Sequence, residues 1–599
     1  MKVTLFVKNT YTASALTLRL LLAFPLLSAF SLSSAADLSA RHAAIKTMIS
    51  ESSQTVANTT ENIHQLRNEA NSLSKPDASK EDLQTALAKI KLALTAIESS
   101  EFERLAFVAH HYKGQRFNFI MDAALLELRL GNKEGFFNLL ESSQTWVLLP
   151  SLKAYLTSPA FDAVKDESRF KAYLKLSDLP ARMGKSSVLV TPYKDNISSA
   201  EKIAGLSMFW SEVKRSFVNF HNVPDLDWDK LYLEYLDKVT QTKSTREYYQ
   251  VMMQLAPMLQ DGHTNIYAPD ELQDVFYSRP ALATALVGKS VLVTRVLNQQ
   301  LAQKIQRGDE IISIDGQAVH EYASSKIASY ASSSTPQDKA VRTYGYELLM
   351  GEKSKSIRLG LRDAAGKERI EIVARGQDRD VAGESAFNFK MLPGDIAYLA
   401  LDHFENDAGV KKLESVMPSI MKAKGLILDI RANGGGSSVQ GAAVLSFLSK
   451  KPVPYAYSTE RQESHVMRTQ GDLILLDTLR AGISKPYTKD RKEVYTGPVV
   501  VLAGAKTFSA AEDFLMSFVT LQRGTVIGSA TAGSTGMPMS FKLPGGGSAR
   551  ICVKHDSFPD GREFVGKGIA PDMEVVPTVA DIRAGRDVVL DKAVAVLSK

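Results

Sequence analysis

The stretch Val499-Val500-Val501-Leu502-Ala503-Gly504-Ala505-Lys506-Thr507-Phe508-Ser509-Ala510-Ala511-Glu512 decides the reading of this chain. The apolar run Val499 to Leu502 predicts a buried strand, and Ala503 to Lys506 a short loop. Asp513 to Leu521 predicts a helix, so the order is strand, tight turn, serine, helix. A serine at such a turn holds its hydroxyl beside a helix N-terminus, where main-chain N–H groups can stabilise an oxyanion. The same position also suits a plain N-cap. Two other segments separate these readings.

One is Leu259-Gln260-Asp261-Gly262-His263-Thr264, and the other is the strand Gly425 to Ile430 running into Arg431-Ala432-Asn433-Gly434-Gly435-Gly436. A hydroxyl nucleophile needs a base, and histidine is the side chain whose ordinary pKa suits that task near neutrality. It also needs donors for the developing oxyanion. A glycine run after a strand lets main-chain N–H groups approach a substrate unobstructed by a Cβ. The three pieces have the chemical types that acyl transfer requires.

Together with Trp210-Ser211-Glu212-Val213 and Gly568-Ile569-Ala570-Pro571-Asp572, these segments resemble a known serine-peptidase family. It contains the tricorn core protease, the carboxyl-terminal processing (tail-specific) peptidases and interphotoreceptor retinoid-binding protein. The segments occur in the family's order, from about Ser198 to the C-terminus. The resemblance implies a multidomain α+β and α/β protein with a ClpP/crotonase-like catalytic domain, here expected over residues 385–599.

It also implies roles. Ser509 is the expected nucleophile and His263 the general base, with His403 and His555 as competing histidines. The N–H groups of Ala510 and Gly435 are the expected oxyanion donors, with Gly434 and Gly436 as rivals. Tail-specific members use a serine–lysine dyad, with the lysine in a glycine-rich turn after the serine. That turn here is Gly528 to Gly536, and Ser534 stands near the lysine position. Lys506 offers no reason to be the base. The tricorn-like arrangement of serine, histidine and carboxylate fits better, with Glu563 as the carboxylate and Asp560 and Glu512 left open. Tricorn-like sites also place a serine beside the histidine. Gly262 stands there, so that member is missing or replaced, with Thr264 as one candidate. No metal or organic cofactor is implied.

At 599 residues the chain is too long for one core. Its net charge of +6 is spread along the chain without a basic, aromatic-interleaved block, so nothing points to nucleic acid. Lys2, Lys8 and Arg19, the apolar run Leu20 to Phe30 and Ser33-Ser34-Ala35-Ala36 predict a signal peptide over residues 1–36. A retained membrane anchor is the alternative. The expected location is periplasmic or secreted. Cys552 is the only cysteine, which excludes an internal disulfide, and it reads as a small core residue.

Residues 37–184 predict a helical, adaptor-like domain and are the candidate surface for a homo-oligomer or adaptor partner. In Glu81 to Ile97, Leu83, Leu87, Ile90, Leu92 and Ile97 recur at helical spacing. Ser187 to Val190 reads as a short strand. Residues 198–275 predict a helical cap carrying His263, with Trp210, Phe217, Phe220, Trp228, Leu231, Leu233 and Tyr235 as core candidates. Residues 281–375, marked by Arg307-Gly308-Asp309-Glu310-Ile311-Ile312-Ser313-Ile314-Asp315-Gly316, resemble a PDZ-like module that adds a peptide to a sheet edge. The expected function is exported serine endopeptidase activity on polypeptides, with tail selection through that module. The alternative is a non-catalytic peptide or ligand carrier on the same fold.

Overall fold

The computed structural model describes residues 59–99, 115–142, 152–179, 189–376, 386–463, 469, 475–480, 487–489 and 491–599. The expected signal peptide lies outside them. The chain divides into two compact units, residues 1–186 and 187–599, each with its own core.

The described part of the first unit is helical, as its periodicity predicts. Its helices are Lys80–Ile97, Gln115–Arg129, Lys133–Glu141, Leu152–Leu156 and Ser168–Ser177. Ser79 opens the first of these with a reciprocal capping box to Asp82, which satisfies two otherwise unpaired main-chain donors. Leu83, Leu87, Ile90 and Ile97 are buried, whereas Leu92 is exposed. The Phe161 and Phe170 rings stack at 5.7 Å, and Phe136 packs against both.

In the second unit, helices Ser199–Ser216, Trp228–Gln241 and Thr245–Met253 form the cap. Phe217, Trp228, Leu231 and Tyr235 are buried in it, while Leu233 faces solvent. The predicted strand before the cap is absent where described, because Leu189 and Val190 lie in a turn. The cap is tied to the catalytic region by an antiparallel pairing of Asn265–Tyr267 with Ser548–Cys552, and Tyr249 Oη donates to Pro544 O at 2.6 Å. Cys552 is buried in that strand, as expected.

Strands Leu282–Val287, Ser290–Val296, Glu310–Ile314, Ile357–Arg362 and Glu368–Val373 form a separate antiparallel sheet in that order. From this module the helix Pro336–Ala340 reaches the catalytic region. Thr335 Oγ1 donates to Ala532 O at 2.8 Å, and Gln337 Nε2 to Thr531 O at 2.9 Å and Lys567 O at 2.8 Å.

The catalytic region is built on a six-stranded sheet. Its order is Met573–Glu574, Thr525–Gly528, Val499–Ala503, Gly425–Asp429, Ile396–Ala400, Phe389–Leu392. All neighbours are parallel except the last pair. Strands covered on both faces read as continuous apolar runs, which is why Gly425–Asp429 and Val499–Ala503 are buried throughout. Helices Ala408–Ile420, Ser438–Leu445 and Ala510–Thr520 pack on the sheet, burying Leu413, Val444, Phe514 and Phe518. Each such side chain contributes about 1.5–3 kcal/mol. The glycine run, Ser509 and the turn after Gly528 all follow the carboxyl ends of parallel strands, where open α/β sheets bind their ligands.

Candidate active site

Ser509 has φ 58° and ψ −128°, a conformation that L-residues rarely adopt. This backbone turns the chain sharply from the strand Val499–Ala503 into the helix Ala510–Thr520 and leaves the hydroxyl outside the turn. The turn is held from both sides. Thr507 Oγ1 donates to Ile430 O at 2.9 Å, Phe508 N to Asn433 O at 3.0 Å, and Ser509 N to Ser534 O at 3.0 Å. The Ser509 side chain makes no capping hydrogen bond, so the plain N-cap reading fails. Its Oγ instead lies 3.0 Å from His263 Nε2.

His263 reaches the serine because the cap ends just before it. The 3-10 turn Ala256–Leu259 is closed by Gln260 in the left-handed region, φ 48°. Gly262 lies in the turn that follows, without a left-handed φ, and its lack of a side chain matters for space. A Cβ there would stand 2.8 Å from Ser534 Oγ and 3.0 Å from both Asp338 Oδ2 and Phe508 Cε2. The His263 ring stacks on Phe508 at 4.5 Å, and the Arg342 guanidinium covers the same Phe508 ring at 5.2 Å. Arg342 also donates to Gly262 O at 3.2 Å and pairs with Asp338 at 2.9 Å.

The other ring nitrogen, His263 Nδ1, lies 3.0 Å from Ser534 Oγ. Ser534 therefore fills the room that a side chain at position 262 would take, and it brings a hydroxyl to the histidine from the opposite domain. Thr264 does not replace that member, because its Oγ1 donates to Asp261 at 2.9 Å and accepts from Cys552 N at 3.2 Å. Ser534 is fixed by Glu512, which is fully buried. Glu512 Oε2 accepts from Ser534 N at 2.8 Å, and Oε1 from Gly533 N at 2.7 Å and Thr531 Oγ1 at 2.6 Å. Burial pushes the Glu512 carboxyl up to about 8, against the pull of these three donors.

Burial holds the His263 pKa well below the ordinary histidine value, helped by the cations of Arg550, Arg342 and Lys554. The base is therefore neutral near pH 7 and able to accept a proton. Lys506 is turned to another partner: its ammonium lies over the Tyr346 ring at 5.5 Å, while burial with the nearby Arg295 and Arg279 lowers its pKa.

Two expectations from the sequence require correction. Glu563 does not stand beside His263; its Oε2 lies 2.7 Å from His555 Nε2. The loop after strand His555–Ser557 folds back on itself through the Ser557–Glu563 bridge, which brings that carboxylate to its own histidine. Asp560 is exposed and paired with Arg562. Gly435 lies against the nucleophile, and a Cβ there would meet Ser509 Cβ at 2.7 Å, but its N–H is taken by Asn433 Oδ1 at 2.9 Å. The Ala510 N–H, at the start of its helix, has no acceptor among the described residues. His403 receives Glu405 N at 3.3 Å and packs on Phe387, within the loop facing the glycine run. The sequence offered Ser534 only as the residue near the lysine position and Glu512 only as an open alternative to Glu563, whereas Glu512 holds the Ser534 main chain. Asp338 and Arg342 carried no local signal at all.

A strained serine elbow, a buried neutral histidine and an unused helix N–H on a parallel sheet have the chemical types and placement that acyl transfer requires. Residues 395–575 match the model of Peptidase family S41. The carboxy-terminal-processing protease of Bartonella bacilliformis is 28% identical over 222 residues, 36% of this chain and 46% of that relative. The chloroplastic C-terminal processing peptidase of Tetradesmus obliquus is 22% identical over 395 residues, 62% of this chain and 76% of that relative. This chain thus matches less than half the length of the Bartonella protein. Mature CPAF complexed with lactacystin shares the fold, with a TM-score of 0.52 and 13% identity over 67% of this chain and 98% of that one.

Proposed function

We propose that this protein hydrolyses peptide bonds of polypeptides, with Ser509 as nucleophile and His263 as general base. The observation that carries the proposal is the 3.0 Å contact between Ser509 Oγ and His263 Nε2 on a strained turn that leaves the serine uncapped. Ser509 Oγ attacks the carbonyl carbon while Nε2 takes its proton. The oxyanion is met by Ala510 N–H and by the main-chain N–H of Gly434 or Gly436, since that of Gly435 is engaged by Asn433. The imidazolium keeps Nδ1–H on Ser534 Oγ and passes its Nε2 proton to the leaving amine. Water then attacks the ester, giving its proton to Nε2, and the acid product leaves with Ser509 restored.

This is a histidine mechanism of tricorn-like type in which a serine from the catalytic domain replaces the expected neighbour of the base. The likeness to a carboxy-terminal-processing protease and a C-terminal processing peptidase supports cleavage near carboxyl termini, and the sheet module at 282–373 is the candidate reader of substrate tails. The signal-like N-terminus supports action in an exported compartment.

The test is an active-site-directed fluorophosphonate with peptide mapping, alongside hydrolysis of casein. Labelling at Ser509, lost in Ser509→Ala and in His263→Ala, is the expected result. An unlabelled wild-type protein that binds peptides without turnover would overturn the proposal in favour of a carrier.

A further inference from the structure

Glu563 does not touch His263, yet an unbroken line of hydrogen bonds joins them. Glu563 Oε2 lies 2.7 Å from His555 Nε2, and His555 Nδ1 lies 2.8 Å from Asn219 Oδ1. Asn219 Nδ2 donates to Asp261 Oδ2 at 2.9 Å, and Asp261 Oδ1 accepts the main-chain N–H of His263 at 3.0 Å. Asn219 and Asp261 are buried, while the Glu563 side chain is 46% exposed. The line therefore runs from solvent to the backbone of the base.

Its polarity follows from the donors that have no choice. A main-chain N–H can only donate, and Thr264 Oγ1, which accepts from Cys552 N, has its proton free for Asp261. Asp261 is thus an acceptor on one oxygen twice over. As a carboxylate it can meet Asn219 only through the amide Nδ2. Asn219 then turns its Oδ1 to His555, so Nδ1 of that ring carries a hydrogen. On the far side the Glu563 carboxylate accepts from Nε2. With Asp261 and Glu563 both ionised, against the upward push that burial gives the Asp261 pKa, both His555 ring nitrogens donate, as an imidazolium requires.

We propose that His555, charged against Glu563, is a positioning residue: through Asn219 and Asp261 it fixes the main chain of His263 and so the aim of the base at Ser509. The proposal rests on the reading of His263 as the base. Other charged groups surround the line. The His221 ring meets His555 edge-on at 5.2 Å. Lys554 and Asp556 flank it in sequence, and the paired strand Tyr457–Glu463 carries Glu460 and Arg461. A neutral ring cannot donate from both nitrogens. When His555 loses its proton, one link of the line must break, and the base loses its support from the alkaline side.

The test uses the full chain with ¹⁵N-labelled histidine, His555 being assigned by difference from His555→Gln. Both ring nitrogens are expected to be protonated near neutral pH, with Glu563→Gln moving the ring toward its neutral form. In parallel, the rate of fluorophosphonate labelling at Ser509 is followed against pH. Wild type is expected to show an alkaline limb in that rate. His555→Gln is expected to lose that limb and to label more slowly near neutrality, by up to about 100-fold, the scale of a catalytic group misplaced by about 1 Å. Glu563→Gln, at a half-exposed carboxylate, keeps the test usable if His555→Gln does not fold. A neutral His555 near pH 7 would overturn the proposal, since the proton would then sit on Asp261 with the Asn219 amide reversed. So would an alkaline limb that survives in the folded variants. An unlabelled Ser509 in wild type would refute the reading of His263 instead, while the ¹⁵N signals still report the charge of His555.

Discussion

Replacing Ser534 by alanine removes the one side-chain hydrogen-bond partner that Nδ1 of His263 has among the described residues, at 3.0 Å, and little else. Ser534 N still donates to Glu512 and Ser534 O still accepts from Ser509, because both are main-chain atoms. The loss is therefore felt at the imidazole. In the transition state His263 becomes an imidazolium whose Nδ1–H needs an acceptor. The ring is 3% exposed, so water offers little replacement. A buried donor left unsatisfied costs about 1–3 kcal/mol, which is about 5- to 150-fold in rate. The cost belongs in the upper part of that range, because Arg550, Arg342 and Lys554 already disfavour the cation. Free choice of tautomer adds to it, since a hydrogen on Nε2 would block proton uptake from Ser509. The assay is kcat/KM on casein with fluorophosphonate labelling in parallel, and thermal unfolding as a check on the fold. A folded Ser534→Ala protein whose kcat/KM stays within about twofold of wild type, below the smallest cost of a buried unpaired donor, would refute the relay.

Three further outcomes follow from the same geometry. Gly262→Ala places a methyl 2.8 Å from Ser534 Oγ and 3.0 Å from Phe508 Cε2; overpacking of this kind costs about 1–3 kcal/mol, so both the melting temperature and the labelling rate should fall. Arg342→Ala removes a cation that helps to hold the His263 pKa low. Its acid limb, which reports neutral His263 in the wild type and lies below the ordinary histidine range, should move to higher pH in a pH–rate profile. An unmoved limb would show that Arg342 does not act on the base electrostatically. The fragment 187–599 has its own core and contains every residue of the site, so it should hydrolyse casein without residues 1–186. Loss of activity in the folded fragment would mean that the helical unit takes part in hydrolysis.

The catalytic sheet was legible because its strands are short, wholly apolar and bounded by turns, as in Gly425–Asp429 and Val499–Ala503. The helix after Ser509 was legible in position but begins at Ala510, not Asp513, because the strained serine starts it directly. Leu92 and Leu233 show the limit of periodicity, since both occupy helices at plausible core spacing and face solvent. The Ser509–His263 pair could be named from local motifs that each carry one reacting group. The support around it could not, because no short window contains it. Ser534 meets His263 across 271 residues of chain, and Asn219 meets His555 across 336. Spacing that matched Glu563 to a family position could not reveal that a histidine eight residues earlier would claim the carboxylate first. A glycine beside the base looked like a missing group. In three dimensions it is the gap through which a serine from another domain enters, so that the vacancy at Gly262 and the hydroxyl of Ser534 are two halves of one feature. A hydroxyl thus reaches the base from position 534, and side-chain volume at position 262 decides whether there is room for it.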